Sequence, residues 1–388
     1  MHIIFFSHPT FLSSQSMPRF TRMLASGMER NGHQVEVWAP RPRFYNLPVP
    51  LKLSKWFGYI DQFIIFPIEV RKRLKRCSPD TLFVITDNGL GPWVPLVAKR
   101  HHVIHCHDFL AQLSALGRIP RNQVSWTGRL YQGYIRWGYT KGSHFISVSH
   151  ETRKELHKLL KKPPVFSEVV YNGLNSNFRT HDVIEARTKL GDLIGLDLTN
   201  GYILHVGGNQ WYKNRAGVIE IYNAWCRNSH IQLPLLLIGH SPSPNLLKHY
   251  ARSPYKSNIH WLSKIDDDEI RLAYAGAKVF LFPSLAEGFG WPIAEAMACG
   301  CPVITTRRAP MTEVAGEAAF FISRCPKNKD AIAEWSIEAA RILDKVITLP
   351  DKEREKLIQT GLINAKRFET EESIRQIEKI YQNILATH

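Results

Sequence analysis

The stretch VFLFPSLAEGFGWPIAEAMACG, residues 279–300, contains the signals of a strand, a loop and a helix in immediate succession. Its first four residues form a continuous apolar run, which is typical of a strand buried on both faces of a parallel sheet. Two glycines then mark a loop, Pro292 suits the first turn of the next helix, and Gly300 suits the end of that helix. A strand that leads through a loop into a helix is the repeating unit of a parallel sheet covered by helices.

The same unit recurs along the chain on both sides of this stretch. Helical patterns begin at Ser16, at Glu151 and at Ala216, between apolar runs. The apolar runs predict strands at His2–Phe6, Gln34–Trp38, Thr81–Ile85, Val103–His107, His144–Val148, Tyr202–Val206, Leu235–Gly239, Ile259–Leu262 and Val279–Phe282. The pattern restarts after the turn signal Asn172-Gly173. We therefore predict an α/β protein of two doubly wound domains, 1–172 and 173–372, that face each other across a ligand-binding cleft.

Length and composition agree with this prediction. A chain of 388 residues with 44% hydrophobic residues is long enough for two or three domains and too apolar for wholesale disorder. Apolar runs all stay below the ~18 residues of a membrane-spanning helix, and the start MHIIFFSHPT lacks a basic segment typical of a secretory signal. Six cysteines without a CxxC pair are expected to be reduced. We expect a cytoplasmic protein, with association to the cytoplasmic face of a membrane left open.

The charge is concentrated in the first half of the chain. Residues 1–172 contain 24 Lys and Arg against 10 Asp and Glu, whereas the remainder contains 26 against 24. An excess confined to one half predicts that this half meets an anionic partner, such as a membrane surface, a phosphorylated acceptor or nucleic acid.

Glu287 and Glu295 flank the glycine-rich loop and the start of the helix within 279–300. Free N–H groups of such a loop and first helical turn bind anions, while carboxylates accept hydrogen bonds from hydroxyl groups. The combination suits a ligand with hydroxyls at both ends and phosphate between them, which is the layout of a nucleotide sugar. The alternative is that Glu295 complements the helix dipole and Glu287 is a solvated loop residue.

A second candidate segment is HVGGNQWYKNR, residues 205–215, where a strand runs through two glycines towards a helix. Lys213 and Arg215 lie at the junction, where cations can neutralise a diphosphate without a metal. A surface Lys–Asn turn gives the same pattern.

His105 and His107 share one face of a predicted strand, an arrangement that can bind a metal ion. The buried strand and the absence of a carboxylate or thiolate pair at zinc spacing argue against a metal. We expect His107, at the end of the strand, to contact substrate, with a core role as the alternative for His105.

Two further segments carry polar or basic signals. The loop Ser7–Ser16 supplies hydroxyl and backbone donors at a helix start, although N-capping alone explains Ser16. In Leu51–Arg76, five aromatic residues precede five cations. This pattern fits a segment that dips into an anionic bilayer and, equally, a domain helix with a basic end.

Together these segments resemble the family-4 retaining glycosyltransferases of GT-B fold, which have two Rossmann-like domains. The matching residues are LFPSLAEGFGWPIAEAMACGCPVI with Glu313-Val-Ala-Gly316, the strand–GG–YKN segment, His107-Asp108, Ile146-Ser-Val-Ser149 and Tyr171-Asn-Gly-Leu174. The resemblance spans nearly the whole chain and is strongest at residues 200–320. It implies that the last helix, about 373–388, returns to pack on the first domain.

The resemblance also implies roles for individual residues. The first domain would bind the acceptor and the second the nucleotide-sugar donor. His107, Lys213 and Glu287 would be catalytic, with Lys213 on the diphosphate, Glu287 on the donor sugar and Glu295 on the ribose hydroxyls. Donor contacts would come from Ser14, Gly208, Asn209, Lys213, Asn214, Lys264, Ile265, Glu287, Gly288, Phe289, Gly290, Trp291 and Glu295, and acceptor contacts from Ser13, Ser16 and Arg19.

The chain departs from the family pattern at two places. Ser13-Ser14 stands where the family often has two glycines, and Asn209-Gln210-Trp211-Tyr212 lacks an arginine that many members carry before the phosphate lysine. Neutralisation of the phosphate is therefore expected to depend on Lys213 more heavily than usual.

The expected reaction moves a hexose from a nucleotide sugar, preferably UDP-glucose or another UDP-hexose, to a hydroxyl of a glycan or lipid-linked glycan, with retention. We expect no cofactor and no metal, since Asp266-Asp267-Asp268 is interpreted as a helix cap, and no nucleic-acid partner. Two alternatives remain open, a nucleotide-sugar 2-epimerase of the same fold and a non-catalytic basic protein that binds membranes or nucleic acid.

Overall fold

A computed structural model describes residues 1–11, 16–48 and 50–386, except for the side chains of Ser16, residues 51–53 and Lys329. The chain divides into two units, Met1–Tyr171 with Glu371–His388, and Asn172–Thr370. The sequence-based boundaries lie within two residues of these divisions.

The first unit contains a six-stranded parallel sheet in the order β2-β1-β3-β4-β5-β6. Its elements are β1 His2–Phe6, α1 Ser16–Arg30, β2 Gln34–Trp38, α2 Leu51–Ile60, a π-helical turn Asp61–Ile65, α3 Phe66–Leu74, β3 Thr81–Ile85, a 3₁₀ helix Asn88–Trp93, α4 Val94–Val97, β4 His102–Cys106, α5 Leu110–Ala115, α6 Trp126–Tyr139, β5 His144–Ser147, α7 His150–Leu159 and β6 Phe166–Val169.

The second unit repeats this architecture with the strand order β12-β11-β10-β7-β8-β9, again parallel throughout. Its elements are α8 Val183–Ile194, β7 Ile203–Val206, a 3₁₀ helix Trp211–Lys213, α9 Arg215–Asn228, β8 Leu235–Ile238, α10 Pro244–Arg252, a 3₁₀ helix Lys256–Asn258, β9 Ile259–Leu262, α11 Asp267–Gly276, β10 Val279–Phe282, α12 Trp291–Ala298, β11 Val303–Thr306, α13 Met311–Ala315, β12 Ala319–Ile322, α14 Lys329–Ile347, α15 Asp351–Ala365 and a 3₁₀ helix Lys366–Phe368.

The helix α16, Thr370–Ala386, completes the core of the first unit rather than that of the second. Because alternate strand residues point to opposite faces, Ile3 and Phe5 of β1 lie in one core layer and Ile4 and Phe6 in the other. The first of these layers includes five buried residues of α16, namely Ile374, Ile377, Ile380, Tyr381 and Ile384. At about 1.5–3 kcal/mol for each large apolar side chain, their burial contributes roughly 10 kcal/mol, comparable with the whole stability of a typical domain.

Close backbone contact joins α6 to the 3₁₀ helix Asn88–Trp93. A Cβ atom on Gly138 would lie 2.0 Å from the carbonyl oxygen of Gly91, and a Cβ on Gly91 would lie 2.2 Å from the carbonyl oxygen of Ile135. Both distances are far below van der Waals contact, so this approach requires glycine at both positions.

The two doubly wound parallel sheets that the apolar runs predict are confirmed, and the nine predicted strands begin and end within one residue of observed ones. Three observed strands were not predicted, namely β6, β11 and β12. The α9 helix begins at Arg215, one residue before the predicted start at Ala216. Within the described residues, every helix is too short or too polar to span a bilayer.

Candidate functional site

Lys213 and Glu287 form an ion pair at one edge of the second sheet. Lys213 Nζ lies 2.9 Å from Glu287 Oε1 and 3.1 Å from Oε2, and the side chains are only 14% and 8% exposed. The two residues follow β7 and β10, which are neighbours in the sheet. Because the carboxyl ends of parallel strands meet at one edge, strands far apart in sequence bring these side chains together.

The local backbone fixes the position of Lys213. It ends the 3₁₀ helix Trp211–Lys213, and the next residue, Asn214, has a left-handed φ of 53°, a conformation that asparagine tolerates better than most residues. The side-chain amide of Asn214 donates a hydrogen bond to the carbonyl oxygen of Pro283 at 3.0 Å. The Lys213 ammonium also lies 5.0 Å from the centre of the Phe282 ring, so aromatic faces add to its stabilisation.

Ser284 is a site residue that the sequence interpretation missed. It is fully buried, and its Oγ lies 2.7 Å from Glu287 Oε1 and 2.8 Å from the Tyr212 carbonyl oxygen. This hydroxyl therefore links the loop after β10 to the loop after β7. The available signal was its place two residues after a buried strand, at the edge where ligands bind.

Glu295 lies in α12 and accepts a hydrogen bond from Tyr274 Oη at 3.0 Å. Burial, together with the Glu295 charge, raises the pKa of Tyr274 well above its usual value, so the phenol stays protonated and remains a donor. The helix begins after Gly290, whose φ of 109° places it in a region that favours glycine, with Pro292 in the first turn. Pro292 has no N–H, and the Ile293 amide donates to the Gly290 carbonyl oxygen at 3.0 Å.

His205, at the end of β7, is a buried neutral imidazole. Its Nδ1 lies 2.9 Å from the carbonyl oxygen of Leu281, which only accepts, so Nδ1 carries the proton and Nε2 has a free lone pair. Among the described residues, Nε2 has no hydrogen-bond partner. Burial, with the nearby charges of Arg215 and Lys213, lowers the pKa of His205 to about 3.

The Arg215 side chain points into the protein, where it joins the loops after β7 and β8 and contacts a ring of β9. Its Nη1 donates to Asn209 Oδ1 at 2.9 Å and to the His240 carbonyl at 2.7 Å, and its guanidinium lies 4.7 Å from the Trp261 ring centre. Burial lowers the pKa of Arg215 to about 10. The structure thus pairs Lys213, and not Arg215, with the site carboxylate.

The remaining predicted donor residues lie in three loops of the second unit. Gly208 and Asn209 follow β7, and the side-chain amide of Asn209 donates a hydrogen bond to the Ser241 carbonyl oxygen at 2.6 Å. Lys264 is exposed and has a φ of 65°. The ring of Phe289 is buried and contacts Trp291 and Phe368, so its side chain belongs to the core. Ile265 precedes α11, and Gly288 lies in the loop before α12.

The acidic run after Lys264 acts as predicted. Asp266 caps α11 by accepting from the amides of Asp268 and Glu269, and Glu269 accepts in return from the Asp266 amide. This capping box confirms the interpretation of Asp266-Asp267-Asp268 as a helix start.

In the first unit, His107 lies at the carboxyl edge of the sheet, one residue after β4. Its Nε2 lies 3.0 Å from the Thr86 carbonyl, and its ring packs edge-on against Phe20. Close by, His8 Nε2 lies 2.7 Å from Asp87 Oδ2. Burial alone would raise the pKa of Asp87, but the hydrogen bond and charge of His8, with His107 and the Gly89 amide, lower it to about 2. The sequence interpretation missed both His8 and Asp87.

His105 lies in the core, which is the alternative that the sequence suggested for it. Its Nε2 lies 2.7 Å from Tyr381 Oη of α16, and burial lowers its pKa to about 3. Within the residues the structure describes, no group of three His, Cys, Asp or Glu side chains is arranged to hold a metal ion.

The predicted acceptor residues are only partly covered by the structure. Ser13 lies outside the described residues, as do the predicted donor residue Ser14 and the side chain of Ser16, which begins α1. Arg19 is exposed on the same helix.

The buried histidines give a testable dependence of stability on pH. Both His105 and His205 have a folded-state pKa near 3, below the unfolded value of about 6.5. The unfolded chain therefore binds protons that the folded chain excludes once the pH falls below about 6.5. We expect the free energy of unfolding at pH 5 to be lower than at pH 7.5 by roughly 2 kcal/mol for each histidine.

Urea unfolding at several pH values measures this effect. In His105→Gln, the free energy of unfolding is expected to fall less steeply below pH 6.5 than in the unsubstituted protein. His181→Gln, a change at an exposed side chain, serves as the control. If the free energy of unfolding fell equally steeply in His105→Gln and in the unsubstituted protein, the low folded-state pKa assigned to His105 would be wrong.

Two six-stranded parallel sheets with flanking helices and a returning last helix define the GT-B class of fold. Two family models match the chain: Glycosyltransferase Family 4 at residues 17–178 and Glycosyl transferases group 1 at residues 192–362. The chain thus belongs to the family-4 glycosyltransferases of GT-B fold.

The chain is also similar to individual known proteins. The chain is 30% identical to the O-antigen chain mannosyltransferase B of Escherichia coli over 47% of its length and 46% of the relative. It is 24% identical to the N-acetyl-alpha-D-glucosaminyl L-malate synthase of Bacillus anthracis over 65% of its length and 62% of the relative. Thus the chain spans about half to three fifths of these relatives. Anabaena HepE, solved in complex with UDP and glucose, superposes with a TM-score of 0.71 at 17% identity, covering 99% of this chain and 100% of that one.

Proposed function

We propose that the protein is a glycosyltransferase that moves a hexose from a nucleotide sugar to a hydroxyl of a glycan or lipid-linked glycan. The observation that carries the proposal is the partly buried Lys213–Glu287 pair at the carboxyl edge of the second sheet. Each member of the pair matches one half of such a donor. The ammonium donates to diphosphate oxygens, and the carboxylate accepts from sugar hydroxyls.

Donor binding replaces the internal pair with two matched contacts. A partly buried ammonium and carboxylate neutralise each other while the site is empty of donor, which avoids the cost of an unpaired charge. The Lys213 ammonium then pairs with the diphosphate, and hydroxyls of the hexose donate hydrogen bonds to the Glu287 carboxylate. Ser284 holds the carboxylate in place through its contact at 2.7 Å.

The other donor contacts follow from the same edge of the sheet. Glu295, held by Tyr274, accepts from the ribose hydroxyls. Amides at the start of α12 and in the preceding loop, Gly288–Trp291, bind phosphate and sugar oxygens. Backbone near Lys264 and Ile265 binds the base. We assign the acceptor to the first unit, with Ser13, Ser16 and Arg19 as its contacts, and we keep Ser14 as a donor contact and His107 as a catalytic residue.

The proposed reaction retains the configuration at the anomeric carbon. The bond between that carbon and the phosphate oxygen breaks, and its electron pair goes to the phosphate, whose charge Lys213 and the α12 amides stabilise. The acceptor oxygen bonds to the carbon on the same face, and its proton passes to the departing phosphate oxygen. With this cationic neutralisation, we propose that transfer proceeds without a metal ion.

The hexose and the process are proposed from the relatives. HepE was solved with UDP and glucose, which supports UDP-glucose, whereas the E. coli relative is named a mannosyltransferase of O-antigen chains. Both support a hexose donor, and the second name supports a role in polysaccharide or envelope synthesis.

A screen of UDP, GDP and ADP hexoses tests the proposal. With a lipid-diphosphate-linked glycan as acceptor, we expect one donor to release nucleotide and extend the glycan, and we expect release to require the acceptor. Release of nucleotide without acceptor, together with an altered sugar, would identify a 2-epimerase instead. Calorimetry that detects no affinity for any of these nucleotides would favour a non-catalytic protein.

A further inference from the structure

One face of α6 presents large apolar side chains to solvent. Trp126, Leu130, Tyr134 and Trp137 recur at spacings of four, four and three residues, so they share a face of the helix. Their exposed fractions are 70%, 64%, 41% and 50%. On the opposite face, Ile135 and its neighbours pack into the core. The outward apolar face is therefore additional to the face that folds the helix onto the protein.

A continuous row of aromatic rings connects α6 to α2 and the π-helical turn. Tyr59 stacks on Tyr131 at 5.6 Å, and Phe63 contacts Tyr134 at 5.8 Å. The row extends to Trp137, which stacks on Tyr134 at 5.8 Å, and to Trp56, which lies 5.8 Å from Tyr59. Trp56 is 59% exposed, so both segments contribute to one surface.

We define this surface as the aromatic surface. It consists of Trp56, Ile64, Trp126, Leu130, Tyr134 and Trp137, all more than 40% exposed. Exposed apolar residues that are scattered singly need no explanation, but a connected group of this kind marks an interaction site.

The two segments that carry the aromatic surface are rich in basic residues. Residues 51–76 contain seven Lys and Arg against two acidic residues, and residues 116–141 contain five against none. Lys55 lies over the Tyr59 ring at 5.8 Å and Lys141 over the Trp137 ring at 5.9 Å. Cations thus stand at both ends of the aromatic row.

The two acidic residues in these segments already bind other groups of the protein. Asp61 is buried and accepts from the backbone amides of Arg43, Phe44 and Tyr45. Glu69 pairs with the Arg43 guanidinium. The cations of these two segments are therefore not offset by acidic residues within the segments.

We propose that the aromatic surface docks on an anionic lipid bilayer, with the rings at the level of the headgroups and the cations against lipid phosphates. Trp and Tyr favour this interfacial layer because they combine an apolar body with a polar tip. Aromatic and aliphatic side chains flanked by Lys and Arg are the composition of segments that lie in the membrane interface. The surface belongs wholly to the first unit, and its role goes beyond the transfer reaction.

Two other occupants fit the surface less well. Single-stranded nucleic acid binds by stacking bases on open ring faces, whereas here Tyr59 stacks on Tyr131 and Tyr134 on Trp137, and Leu130 and Ile64 offer no stacking face. A second copy of the chain would bring two equally basic surfaces together, and like charges oppose that contact.

Vesicle flotation with the full chain tests the proposal. We expect the protein to float with vesicles of phosphatidylcholine and phosphatidylglycerol, to float poorly with phosphatidylcholine alone, and to be released by high salt. Trp126→Ser with Trp137→Ser is expected to reduce the bound fraction roughly tenfold or more, because two apolar side chains are lost from the interface. Ile184→Ser, which changes a 75% exposed apolar residue of the second unit, is the matched control and is expected to bind like the unsubstituted chain.

Three results would overturn the proposal: no flotation with the anionic vesicles, equal flotation of the double variant, or a loss shared by Ile184→Ser. If the double variant instead loses single-stranded RNA binding, or changes the mass measured by light scattering, the surface serves nucleic acid or a second copy and not a bilayer. Calorimetric affinity for the nucleotide donor is expected to stay unchanged in every variant. Failure of docking is thereby distinguished from failure of the proposed glycosyl transfer.

Discussion

Lys213→Ala is expected to reduce glycosyl transfer by about 10³-fold, with most of the loss in kcat. Before the donor binds, the ammonium is positioned by the Glu287 carboxylate and by the rings of Tyr212 and Phe282, and on binding it exchanges the carboxylate for the diphosphate. A fixed charge stabilises the departing diphosphate without reorganising during the reaction. Alanine removes that charge, and Arg215 is directed towards Asn209 and His240, so it does not substitute.

Steady-state kinetics on the best donor of the nucleotide screen measures this loss, with thermal unfolding to show that the variant folds. Lys189→Ala is the matched control, since Lys189 also pairs with a glutamate, Glu185, but on the exposed surface of α8. Glu287→Ala is expected to lose activity to a similar degree through the donor sugar. Near-normal turnover in either variant would show that the site has been assigned wrongly.

Gly138→Ala is expected to destabilise the first unit by about 4 kcal/mol or more. The added methyl would lie 2.0 Å from the Gly91 carbonyl oxygen and 2.3 Å from its carbon. Backbone atoms have no alternative rotamer, so the relief of this clash requires α6 to move away from the 3₁₀ helix Asn88–Trp93. That movement would open the core around Ile135 and Tyr139.

Gly133→Ala in the same helix is the matched control. A Cβ at Gly133 would meet nothing within 4 Å, so alanine there is expected to stabilise the helix by roughly 0.5–1 kcal/mol. Urea unfolding of both variants, followed by tryptophan fluorescence, gives the comparison. Equal stability of the two variants would mean that the contact between Gly138 and Gly91 is not tight in solution.

The sequence predicts the sheets well because parallel strands buried on both faces are continuous apolar runs, such as Val279–Phe282, between Gly and Pro signals. The glycine-rich loops that contain Lys213 and Glu287 indicate that both residues are functional, but they do not predict that the two side chains contact each other. Their contact depends on β7 and β10 being neighbours, a pairing of strands 73 or more residues apart that no local pattern encodes.

The same reason explains the residues that were missed. The His8–Asp87 contact requires β1 beside β3, and the inward turn of Arg215 requires the loops after β7 and β8 to meet. The exposed face of α6 was missed for a different reason. Its apolar residues repeat at helical spacing on the outer and the inner side alike, so the pattern alone does not tell which side is buried.

The placement of α16 sets an order of assembly during synthesis. Residues 172–370 leave the ribosome before the five side chains with which α16 fills the core of the first unit. The second unit is therefore able to fold while the first still exposes the sheet face that includes Ile3 and Phe5. The nascent first unit thus depends on α16 to reach its native state, and it offers a chaperone an unprotected apolar layer until α16 has been synthesised.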